Sequence, residues 1–187
     1  MKRINLLLVI ALFVCPSVSF AQSDEPQSDE RDTVFTSQYT DLTTGIGCQP
    51  DSEASDGSDG PLVCRGPGGY QVQISYAAVG AYASVRTANK SFTAQLAAQG
   101  AHFNEGRKIE WRLADGRPFA VILRVFKYRK HSSDSNDAFS ERNKTGEVLI
   151  VRGLKGQEHI RFDVDPRKSE QANDEARKLA DAGFRRK

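Results

Sequence analysis

The amino-acid sequence predicts an α+β domain: a single antiparallel β-sheet with a C-terminal α-helix packed on it. Three observations predict it. Several short stretches alternate apolar and polar residues with a period of two, which turns one face of a strand to a core and the other to water. Asp115-Gly116 lies between two such stretches, and glycine accepts the positive φ that a tight hairpin turn demands. One further segment, Ser169–Gly183, spaces its apolar residues as an amphipathic helix does.

Taken in order, the chain opens like a secretory signal, residues 1–21. Lys2 and Arg3 precede the apolar run Ile4–Val14, and Ser19-Phe20-Ala21 fits the small-x-small cleavage rule. The run is too short for a permanent membrane helix, so no transmembrane segment is expected after cleavage. Pro16 directly after Cys15 does not suit lipid attachment. The expected location is periplasmic or secreted. Residues 22–33 are acidic and lack periodicity, as a disordered lead-in does. Residues 34–187 form one domain, with Val34, Phe35 and Tyr39 as an edge strand or an extended docking segment.

Cys48 and Cys64 are the cysteines that remain after cleavage. In an oxidising compartment an isolated pair forms a disulfide. It closes the loop Gln49–Pro61, whose acids Asp51, Glu53, Asp56 and Asp59 raise the question of calcium. An EF-hand register from Asp51 fails, since the sixth position is Asp56 and the twelfth Leu62. A looser calcium site and a solvated acidic loop both remain open, and no metal or cofactor is expected. Arg65–Gly69 turns the chain, and Tyr70–Tyr76 and Val79–Val85 are paired strands. Lys90–Asn104 reads as a loop with at most one helical turn, because Gly100 cuts short the spacing of Phe92 and Leu96.

The hairpin Lys108–Tyr128 organises the rest. Ile109, Trp111 and Leu113 alternate with Glu110 and Arg112, which puts the tryptophan inward and the charged residues on a wet face. In the second arm Phe119, Val121, Leu123 and Val125 share one face, and Ala120, Ile122, Arg124 and Phe126 the other. Both are apolar up to Arg124, so this strand is expected to be central and covered on both sides. Residues 131–146 read as a mobile polar linker, Val148–Val151 as a buried strand and His159–Val164 as an alternating one. In the helix, Ala172, Ala176, Leu179 and Ala180 form one stripe, Gly183 is the stop and Phe184 packs back.

Charge is divided unevenly. Without the leader, acidic and basic residues are equal in number. Gln22–Cys64 nevertheless holds ten acids against Arg31 alone, and the excess of bases follows it. Either a basic face awaits an anionic partner, or the acidic segment neutralises the basic part. No basic cluster is dense enough for nucleic acid.

Several short motifs add up to a resemblance. They are Phe35-Thr36-Ser37 with Tyr39-Thr40-Asp41-Leu42, Cys64 with Gly68-Gly69-Tyr70 and Val72, Phe103-Asn104, Trp111-Arg112, Gly116–Ala120 with Ile122-Leu123-Arg124, Gly146–Leu149, and His159 with Asn173, Ala176-Arg177 and Ala180-Asp181. In this order they resemble a family of exported proteobacterial proteins with no assigned activity. Relatives carry a second cysteine pair, whereas here Glu158 and Arg185–Lys187 stand at those places. The resemblance implies a fold and no reaction.

Catalytic patterns are scarce. There is no G-x-S-x-G elbow or SxxK pair, and His102, His131 and His159 do not pair at metal spacing. The candidate ligand-facing polar row is His159, Arg161 and Asp163. The expectation is a non-catalytic binding or accessory module of the cell envelope with an envelope or secreted protein partner. It would use a wet sheet face (Arg112, Arg124, Arg161) or the disulfide loop. An inhibitor of secreted enzymes and a hydrolase with an unrecognised polar site are the alternatives.

Overall fold

A computed structural model describes residues 32–51, 60–77, 80–96, 101–102, 108–129 and 140–185. The signal segment, the lead-in up to residue 31, most of the acidic loop and residues 131–139 of the linker lie outside the described residues. A compact unit runs from Thr33 to the C-terminus.

Two antiparallel sheets form instead of one. The larger holds β1 (Phe35–Asp41), β8 (Lys108–Ala114), β9 (Arg117–Tyr128), β10 (Lys144–Gly153) and β11 (Arg161–Val164), side by side in that order. The smaller holds β2 (Cys48–Pro50), β3 (Leu62–Arg65), β4 (Tyr70–Ala77), β5 (Gly80–Thr87) and β6 (Thr93–Gln95). β7 (Ala101–His102) pairs with the far end of β9, beyond the reach of β8. Helix α1 (Ala172–Arg185) covers the second face of the larger sheet. The single sheet expected from the sequence is therefore corrected to two facing sheets with a helix behind one of them. Alternation marks which residues turn inward, and it does not say which sheet they join.

The core between the sheets joins Val72, Ile74 and Val85 of the smaller to Ile109, Trp111, Leu123 and Ile150 of the larger, all fully buried. Behind the larger sheet, Ile122, Leu149, Val151 and Ile160 meet Ala172, Ala176 and Ala180. Alanine at these positions lets the helix axis lie close to the strands. β9 is central and buried on both faces near its start, as its apolar run predicts.

Trp111 is fully buried, and its indole N–H donates to Thr40 Oγ1 at 2.9 Å. Thr40 in turn donates to the Arg65 carbonyl at 3.0 Å, tying β1 of the larger sheet to β3 of the smaller. Gly66 lies against the ring, and a Cβ there would come within 2.2 Å of it.

Several local expectations are corrected. Phe119 joins Ala120 and Ile122 on the helix side and not Val121, because the pairing slips between Arg112 and Leu113. A bulge adds one residue to a strand and turns the next side chain to the other face. The Lys90–Asn104 loop contains β6 and β7. Residues 140–146, placed in the linker, form a short 3₁₀ turn and the start of β10. The last strand begins at Arg161, after a turn that includes His159. Gly183 does not stop α1, which continues to Arg185. It is glycine because a Cβ would lie 2.9 Å from Ile160 Cγ1.

Candidate binding face

The polar row of the last strand is spoken for by the fold. His159 Nε2 lies 3.1 Å from the Gly183 carbonyl, at the C-terminal end of α1. Asp163 binds the buried Arg152 at 2.7 Å. Arg161 is exposed and makes no ion pair among the described residues. The structure does not bring His159, Arg161 and Asp163 together as a cleft.

The wet face assigned to Arg112, Arg124 and Arg161 is also corrected. Arg112 is buried beneath α1, where it grips Asp181 with bonds of 2.7 to 3.1 Å and donates to Ser37 at 2.6 Å. Glu110 beside it is buried too, and binds Arg177 through both carboxylate oxygens at 2.7 and 3.0 Å. That bidentate contact holds the Arg177 guanidinium charged beyond its usual range. Arg124 binds Glu147 and reaches Asn173. Burial of charge here rests on pairing. The pattern of alternation cannot tell a hydrated arginine from one facing a carboxylate on a helix distant in sequence.

An open depression of about 690 Å³ lies on the outer face of the smaller sheet. The alternation Tyr70–Tyr76 sends Val72 and Ile74 into the core, so Gln71 and Gln73 must face outward. β5 places Arg86 opposite Gln71. Arg86 is 8% exposed, and each of its nitrogens has a fixed acceptor. Nε binds Gln71 Oε1 at 3.2 Å, Nη1 binds Gln73 Oε1 at 3.2 Å, and Nη2 binds Asp51 at 3.1 Å. A guanidinium only donates, so both glutamines must offer it their carbonyl oxygens. Their Nε2 donors then have no partner among the described residues.

The rim adds more polar groups. Arg65 is exposed and makes no ion pair among the described residues, and Gln49 is exposed beside it. Asp41 accepts from the Thr43 N–H at 2.8 Å, and the Thr43 hydrogen bonds hold its carboxyl below the usual value. Tyr39 and Ile46 line the same depression and are exposed, the tyrosine 55%. Cys48 and Cys64 are directly opposed on β2 and β3 and form a disulfide, which holds Asp51 near Arg86. The predicted disulfide is thus present. The glutamines were visible in the sequence as the wet side of YQVQISY. Arg86 gave no signal there, because its acceptors come from two segments that are separate in sequence, β4 and the end of β2.

A second hollow of about 540 Å³ lies beside the hairpin turn, between Arg117, Lys155, Gln157 and Phe184. Among the described residues no group of His, Cys, Asp and Glu could hold a metal ion, and no helix is long and apolar enough to cross a membrane. Comparisons with protein-family models, curated proteins and solved structures return no match.

Proposed function

We propose that this chain is an exported, non-catalytic binding module of the cell envelope, and that it presents the outer face of the disulfide-stapled sheet to an anionic envelope component. One observation carries the reading: Arg86 fixes Gln71 so that its amide donors, together with Arg65, line an open depression. A face that offers amide donors and the exposed guanidinium of Arg65 suits a ligand rich in oxygen acceptors. The signal-like leader and the disulfide support the export part of the reading, as does the resemblance to exported proteins without assigned activity.

The test is retention of the protein on immobilised anionic envelope polymer at low and high salt. Retention at low salt that is lost at high salt is the expected result, since exposed charges are screened beyond about 10 Å at 0.1 M salt. Absence of retention at low salt would reject the reading.

A further inference from the structure

We infer that the depression on the smaller sheet takes an acidic glycan, a run of sugar rings bearing carboxylates. The inference rests on the proposed binding reading and names the ligand class of that same face. Three features point to it. First, the depression is lined by the amides of Gln49 and Gln71 as well as by the cations Arg65, Arg86 and Lys90. Gln71 gives a fixed N–H group, and exposed Gln49 gives both a donor and an acceptor, which is the pairing that a hydroxyl array requires. Nucleic acid or polyphosphate would instead call for a dense set of cations. Here each nitrogen of Arg86 already donates to Asp51 or to one of the two glutamines.

Second, the guanidinium at the rim that has no ion pair among the described residues, Arg65, can hold a carboxylate through two parallel hydrogen bonds. Asp51 is paired with Arg86, while Asp41, hydrogen-bonded to Thr43, keeps its negative charge on the same lining, so Arg65 is the guanidinium free to meet a carboxylate among the described residues. Third, the exposed Tyr39 ring and Ile46 give the rim an apolar flank beside the polar floor. A pyranose has the same two characters, an apolar ring face and a polar edge. Tyr39 is steadied by Arg177, whose Nη2 lies 3.3 Å from its hydroxyl.

The floor is also preorganised. A buried guanidinium orients two amides before any ligand arrives, so their rotamers need not be frozen on binding. The arrangement depends on Asp51, which the disulfide keeps at the edge of β2.

The experiment is titration calorimetry of the oxidised protein with three probes: an oligogalacturonate, a neutral malto-oligosaccharide of equal length, and polyphosphate. Oligogalacturonate is expected to bind, and the other two to bind at least about tenfold more weakly, the worth of a lost charge-assisted hydrogen bond or of the lost hydroxyl contacts. Arg65→Gln should weaken oligogalacturonate about tenfold without moving the melting temperature, because the Arg65 side chain has no hydrogen bond or ion pair to lose among the described residues. Arg161→Gln, on the last strand, should leave it unchanged. Polyphosphate binding as tightly as oligogalacturonate would overturn the glycan inference while the anionic reading survived. No binding by either anion would overturn both.

Discussion

The Trp111 indole is bounded by Gly66 and by the Tyr70 ring, 6.2 Å away, and its N–H ends on Thr40. Its inward direction was legible, because Ile109, Trp111 and Leu113 keep strict alternation. Its hydrogen bond was not, since Thr40 lies far away in sequence. Thr40→Val should leave a buried N–H without an acceptor and cost about 1–3 kcal/mol, read as a lower urea midpoint. Trp111→Ala should cost about 3–5 kcal/mol. Tyr70, packed on Trp111 and Phe92, makes a pH prediction. Burial pushes its phenol above the usual tyrosine value of about 10. A raised folded pKa means that the stability is fully present below pH 10 and is lost as pH rises through the folded value. Tyr70→Phe should therefore flatten the alkaline end of the stability profile. An unchanged alkaline slope would count against that burial.

At the scale of elements, α1 is held by shape and by charge. Its alanine stripe was readable from spacing, and so was Phe184, which packs on Phe119 and Phe35. The bonds from Asp181 to Arg112 and from Arg177 to Glu110 were not readable, because a strand's charged residues look alike whether they face water or a helix. Asp181→Asn should leave Arg112 buried without its counter-ion and destabilise the protein by on the order of 2 kcal/mol in urea unfolding, less than a fully buried pair since Asp181 is partly exposed. Gly183→Ala sets two effects against each other. Alanine gains about 1 kcal/mol of helix propensity. The overlap with fully buried Ile160 costs about 1–3 kcal/mol. Overpacking should win, giving a net loss where propensity alone predicts a gain.

Across the whole molecule, the larger sheet was legible and the smaller was not recognised as separate. The hairpin and its buried second arm define one layer directly. The strands from Leu62 to Thr87 show the same alternation, and only the shared core with Trp111 places them opposite that layer. The disulfide was legible from composition, yet its consequence was not: it staples the strand that carries Asp51 beside the glutamine floor. Reduction should lower stability by about 3 kcal/mol, the worth of closing a loop of this size. It should also weaken binding at the depression.

The most direct test of the binding face is amide hydrogen exchange of the oxidised protein, with and without an anionic envelope polysaccharide at low salt. Slowing is predicted at β2 to β5, centred on Arg65, Gln71, Gln73 and Arg86. Slowing confined to Arg161–Val164 and α1, or none at all, would contradict the account.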